Sequence, residues 1–179
     1  MYDIRPTTYD IGHTKYEIRP TKYTAGFSLI EVLIAVVLVG LAVAALVGAS
    51  RAFTIANASG ADLSTAEFLI EQVRELTTLL PVVDPQTGTT FGPEEAGLAN
   101  YDDLDDFDGA NFSPPISANR TALSNFAGFS QQVTVEKVNE ANFEQVVADS
   151  SDSHFVRVTV RVLLNSREIS SVRWIRARY

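Results

Sequence analysis

The sequence predicts an α+β protein in which one long N-terminal helix packs on a small C-terminal antiparallel β-sheet, the first half of the helix spanning a membrane. Three observations carry that expectation. Residues 27–49 form an apolar run whose one charge is Glu31. A helical stripe follows, with Ala66, Leu69, Ile70, Val73, Leu76 and Leu80 at i, i+3, i+4 and i+7 spacings. Period-two alternation then appears three times, over residues 129–138, 155–164 and 167–177.

The first 23 residues repeat with a period of seven. Tyr2-Asp3-Ile4-Arg5-Pro6-Thr7-Thr8 returns as Tyr9-Asp10-Ile11-Gly12-His13-Thr14-Lys15 and as Tyr16-Glu17-Ile18-Arg19-Pro20-Thr21-Lys22. The period suits a coiled coil, but Pro6 and Pro20 would break a helix. Two readings stand: a disordered polar tail that arose by local duplication, and a cytoplasmic docking segment.

The apolar run of 23 residues extends about 35 Å as a helix, at ~1.5 Å per residue, against a bilayer core of about 30 Å. No side chain from Val32 to Ala49 is polar. A helix apolar all round is a membrane span or the core of a large protein. The run is longer and later than a secretory signal, although Ala42-Val43-Ala44 and Val47-Gly48-Ala49 imitate a signal cleavage site. Lys15, Arg19 and Lys22 precede it and Arg51 follows, which places the N-terminus in the cytoplasm and the remainder outside.

Residues 51–80 continue the helix, with Glu67, Glu71, Arg74 and Glu75 between the apolar positions. Asn57 to Gly60 is where a bend or fraying is expected, because glycine costs about 1 kcal/mol in a helix. Pro81 is expected to end it. Residues 81–128 read as an irregular acidic region rich in Pro, Gly, Asn and Asp, and residues 129–179 as the sheet. In the second strand Val156, Val158, Val160, Val162 and Leu164 share one face, and Arg157, Thr159 and Arg161 the other. Asn165-Ser166 reads as a tight turn into the third.

Composition narrows the function. The net charge of −8 argues against a nucleic-acid surface. There is no cysteine, hence no disulfide and no thiolate metal site. His13 and His154 lie in unrelated contexts, and no nucleophile motif or phosphate-binding glycine loop accompanies them. Nothing converges on enzyme chemistry, and no cofactor is implied beyond a cation.

Glu31 calls for a partner, because a carboxylate in hydrocarbon is costly. Its surroundings, Ala25-Gly26-Phe27-Ser28-Leu29-Ile30-Glu31-Val32-Leu33-Ile34 with Gly40 beyond, resemble the N-terminus of type IV prepilins and type II secretion pseudopilins. The resemblance implies a pilin-like fold and a prepilin peptidase that cuts between Gly26 and Phe27. Residues 1–26 would be the cytoplasmic leader, Phe27 the N-methylated new terminus, and residues 27–50 the transmembrane and assembly helix. It further implies that Glu31 meets the Phe27 α-amine of a neighbouring subunit. The partners are then membrane lipid, an inner-membrane assembly platform and other pilin or pseudopilin subunits. The outer domain would be periplasmic, and the assembled chain would lie in a pilus at the cell surface or in a periplasmic pseudopilus. Major pilins commonly carry a proline late in the span, whereas this chain has Gly48 there, which favours a minor pilin or a pseudopilin. A third reading is a single-span membrane protein whose outer domain binds a ligand or ion.

The acidic string Asp102, Asp103, Asp105, Asp106 and Asp108, closed by Gly109, consists of oxygen donors suited to Ca²⁺. It fails as an EF-hand, since with Gly109 at the sixth position the first ligand would be Leu104 and the twelfth Pro115. The competing reading is an acidic turn facing the six arginines of the last 23 positions. The string is also similar to one in minor pilins of the mannose-sensitive haemagglutinin type.

Overall fold

The computed structural model of the chain describes residues 10–11, 14–15, 26–86 and 91–178. They belong to two compact units, Met1–Arg51 and Ala52–Tyr179. One helix, α1 (Leu29–Thr77), supplies residues to both.

In the first unit, β1 (Asp10–Ile11) and β2 (Thr14–Lys15) pair antiparallel in two rungs. A tail without regular structure was the expectation here, and these four residues depart from it. Pro6, Pro20 and most of the heptad repeat lie outside the described residues. Every residue of α1 from 29 to 51 is exposed within the chain. Among the described residues, α1 is the one helix long and apolar enough to cross a membrane. Its Val and Ile content would weaken a helix in water. In hydrocarbon, backbone groups must bond internally, and the helix is the form in which a single segment does so.

In the second unit, α1 buries Ala66, Leu69, Ile70, Val73 and Thr77. This is the expected stripe, with Thr77 added and Leu76 and Leu80 half-buried at its margin. The helix runs through Asn57 to Gly60 without interruption. One glycine's cost is small beside a 49-residue hydrogen-bond ladder. The end falls at Thr77 rather than next to Pro81. The Thr77 and Thr78 hydroxyls donate back to the Val73 and Arg74 carbonyls at 2.9 and 2.6 Å. Arg176 then donates to the carbonyls of Thr77 (2.8 Å) and Leu80 (2.9 Å). These bonds satisfy groups that a further helical turn would otherwise take up.

The sheet is antiparallel, in the order β3-β4-β6-β7, with β5 also pairing with β4. Its strands are β3 (Asn111–Phe112), β4 (Phe129–Asn139), β5 (Asn142–Val146), β6 (Phe155–Leu164) and β7 (Arg167–Ala177). The three long strands lie where alternation predicts them. Register places Val133 opposite Val160 and Val135 opposite Val158. Val160 in turn faces Val172, and Val158 faces Trp174. This valine face and the α1 stripe form one core with Val82, Val83, Leu104 and Phe107. Arg74 lies over the Trp174 ring at 4.9 Å. Asn165 and Ser166, at φ of 49° and 67°, form the two-residue β6–β7 turn, whose type requires both to be left-handed.

Residues 81–128 are less irregular than the sequence suggests. They contain β3, two 3₁₀ turns (Asp105–Phe107 and Ser124–Phe126) and a bridge between Ile116 and Ala122. Gln131, fully buried, ties this region to α1. Its amide donates to the carbonyls of Leu69 (2.8 Å) and Ile116 (3.1 Å), and its Oε1 accepts from the Ile116 N–H at 2.7 Å. Removing it would leave a buried N–H without a partner. Gln131→Ala should therefore destabilise the fold by about 2–3 kcal/mol. Chemical denaturation of the detergent-solubilised chain, followed by Trp174 fluorescence, measures this; an unchanged midpoint would contradict the assigned role.

Candidate functional site

Gly26, Phe27 and Ser28 precede α1 as exposed, non-helical backbone. Phe27 is 83% exposed. The Glu31 N–H donates to the Ser28 hydroxyl oxygen at 3.2 Å and to the Ser28 carbonyl at 3.1 Å. Ser28 is thus the N-cap, and Glu31 lies in the first turn, where a carboxylate is complementary to the positive end of the helix dipole. The Ser-x-x-Glu spacing that signals such a cap is present in the sequence, but Ser28 was not singled out there. Phe27, Glu31, Val32, Ala35, Val36 and Val39 line one shallow groove along the helix. The residue at the expected cut and the lone glutamate therefore share a face. The Gly26–Phe27 bond, in turn, lies in exposed chain outside the helix.

The acidic string behaves differently from a solvated turn. Asp103, Asp105 and Asp106 are each 0% exposed. The burial follows from their neighbours in sequence. Leu104 and Phe107 are core residues, and the Leu104 N–H donates to the Pro81 carbonyl at 2.9 Å. The carboxylates are drawn inward between them. Asp106 organises the turn, accepting from the Asp102 N–H at 3.0 Å and the Glu95 N–H at 3.5 Å. Asp103 accepts from the Asp106 N–H at 3.1 Å, and Asp105 from the Gly92 N–H at 2.9 Å. Asp108 stands apart from the other four. It accepts from the Val135 N–H at 2.8 Å and so continues the pairing along β4.

Carboxylates that the string alone did not identify join it. The groups Glu94/Asp103/Asp105, Glu94/Glu95/Asp106 and Asp84/Asp102/Asp103 each bring ligand oxygens within 4.8 Å of one another. Glu94 and Glu95 follow a Gly-Pro pair and carry no periodic signal, so sequence spacing could not assign them. The crowding raises several pKa values. Burial, then its hydrogen bond with Asp105, pushes Asp103 up to about 8. The hydrogen bond with Asp106, then burial, pushes Glu95 up to about 7. Burial also raises Asp105 and Glu94.

Four of the six C-terminal arginines are engaged away from these aspartates, unlike the acidic turn facing arginines that was one reading of the sequence. Arg157 pairs with Glu136 at 2.9 Å, Arg173 with Glu144 at 3.1 Å and Arg161 with Glu168, while Arg176 holds helix carbonyls. His154 is exposed and contacts Glu140 at 3.0 Å. The His154 N–H, bonded to Glu140, lowers that carboxyl's pKa.

Residues 21–47 match the family model of the prokaryotic N-terminal methylation motif, the signature of type IV prepilins and pseudopilins. The matched span contains Gly26, Phe27, Ser28 and Glu31. No curated protein and no solved structure matches the chain. The fold is α+β and pilin-like, and the motif supports a member of the type IV pilin and pseudopilin family, whose members are structural proteins rather than enzymes.

A pH dependence follows from the acidic cluster. The folded pKa values of Glu95 and Asp103, about 7 and about 8, lie above the ordinary 4.5 and 3.8. The folded state then binds more protons, so its stability falls as pH rises through that window. In the presence of chelator, the detergent-solubilised chain should melt at a higher temperature at pH 5 than at pH 8. A melting temperature that stays flat or rises over that range would contradict it.

Proposed function

We propose that the chain is a minor pilin-like structural subunit of a type IV pilus or related filament. One observation carries the reading: the methylation motif leads straight into a helix whose apolar side chains from residue 29 to 55 are exposed. Leu29, Leu46 and Phe53 are 84%, 71% and 73% exposed. Such a surface is stable in lipid, or against other helices of the same kind in a filament core.

Prepilin peptidase cuts the peptide bond between Gly26 and Phe27, releasing the leader and exposing the Phe27 α-amine. Glycine on the leader side of the bond lets the protease approach the backbone closely. N-methylation leaves the amine able to carry a positive charge. On assembly, that ammonium meets the Glu31 carboxylate of a neighbouring subunit. Each charge loses hydration in the apolar bundle, and pairing offsets part of the loss; removing one partner costs about 3–5 kcal/mol. The pair fixes the axial register between subunits. No catalytic role is assigned to any residue.

Gly48, where major pilins commonly carry proline, and a helix unbroken there support a minor subunit. The same features suit a pseudopilin of a type II secretion system. Recovery of the protein from sheared surface filaments, rather than from periplasmic assemblies, distinguishes the two.

Replacing Gly26 with tryptophan should block processing, so that intact-mass analysis finds the full chain where the native protein starts at a methylated Phe27. A native protein that keeps residues 1–26 would instead favour the single-span, ligand-binding reading. Glu31→Ala should still be cleaved, yet its content in sheared filaments should fall roughly tenfold or more, given the cost of an unpaired buried charge. Wild-type amounts in filaments would refute the charge-pair mechanism.

A further inference from the structure

We infer that the loop between α1 and the sheet holds a divalent cation, Ca²⁺, bound between Asp103, Asp105 and Glu94. The inference rests on the second unit alone and does not depend on filament assembly.

The geometry carries it. Asp103 and Asp105 are fully buried, and each has one carboxylate oxygen already fixed by a backbone N–H, from Asp106 and from Gly92. Their other oxygens, Asp103 Oδ2 and Asp105 Oδ1, are buried with no donor from outside the pair, so that the two carboxyls have only a shared proton between them. Ligand oxygens of Asp103, Asp105 and Glu94 come within 4.8 Å of one another. Buried polar atoms in native proteins are nearly always satisfied, so two orphan carboxylate oxygens in one place indicate a missing positive partner. Among the described residues, no lysine or arginine forms an ion pair with Asp103, Asp105 or Glu94. Lys137 is engaged elsewhere, donating to the Asp149 and Ser151 carbonyls and lying over the Phe91 ring.

The donor set selects the ion. All three ligands are carboxylates, without the imidazole or thiolate that zinc and copper favour. Two ligands are fixed by the loop backbone, while Glu94 is exposed and able to adjust. That mixture suits Ca²⁺, which accepts flexible shells of oxygen, better than Mg²⁺, which demands a near-ideal octahedron. Bound there, the ion joins the segment around Glu94 to the 3₁₀ turn that buries Leu104 and Phe107. It therefore fastens the cover over one end of the core.

The test is thermal melting of the full chain in detergent, after removal of metal by chelator, with Trp174 fluorescence as readout. Calcium at millimolar concentration should raise the melting temperature by roughly 5 °C, and magnesium by much less. Asp105→Asn keeps the shape and the acceptor for Gly92 but removes one charge. It should melt no lower than the metal-free wild type, yet lose most of the calcium increment. Should that variant fail to fold, Glu94→Gln at the exposed position is expected to weaken calcium binding about tenfold by calorimetric titration. A wild-type melting temperature indifferent to calcium would overturn the site. So would full calcium affinity in the Glu94→Gln protein.

Discussion

The contact between the Ala66–Leu69–Ile70–Val73 stripe and the valine face of β4 and β6 is the interaction on which the second unit depends. Neither surface is stable alone: a helix stripe and a three-strand face each need an apolar partner. Their union also dictates what surrounds it. Trp174 and Arg74 close one flank, and Arg176 reaches from β7 to the Thr77 carbonyl at the end of α1 and the Leu80 carbonyl beyond it. Gln131 bonds a helix carbonyl from within the sheet, which places a polar group in the centre of an apolar layer. It is tolerated because its amide nitrogen and its carbonyl oxygen are both hydrogen-bonded to backbone groups.

The same helix obeys a different rule in the first unit. From Leu29 to Arg51 every residue is exposed, and hydrophobicity all round takes the place of a stripe. Here the surrounding medium, not a packed partner, enforces the helix. Ser28 matters more in that setting than it would in water, because unsatisfied N–H groups at a helix start near lipid find fewer alternative acceptors. Its cap defines the first turn and so sets where the Glu31 carboxylate stands relative to Phe27.

Much of this was legible in the sequence because periodicity records burial. β6 and β7 fall on the residues that alternation marked, and the Asn165-Ser166 turn follows from chain chemistry that tolerates positive φ. β5 was invisible for the complementary reason: all five of its residues are exposed, so no pattern of burial marks it. β3 has two residues, too few to show a period. The acidic string was read as a candidate site or an acidic turn, and its burial was not foreseen. Leu104 and Phe107 are two isolated apolar residues among aspartates, and only the tertiary core shows that they pull their neighbours inside. Glu94 joins through a loop whose path no local rule specifies.

Two places in the chain carry carboxyl groups whose charged form calls for a partner, and one physical argument applies to both. Glu31 sits in an apolar helix whose partner charge, in the proposed filament, comes from another subunit. Asp103 and Asp105 sit in a protein core with orphan oxygens and no basic side chain paired to them among the described residues. Were stability of the isolated chain the sole constraint, an apolar or amide side chain would serve better at each position. A charge kept at such a cost needs compensation from outside the chain: in the proposed filament by an ammonium at Glu31, and in the inferred site by a cation at Asp103 and Asp105. The two sites then make different steps conditional. In the proposed filament, processing at Gly26–Phe27 precedes pairing at Glu31, because the amine does not exist before the cut. The loop needs no processing, only an environment that supplies calcium, and the periplasm and cell surface proposed for this domain are in contact with the medium that holds it.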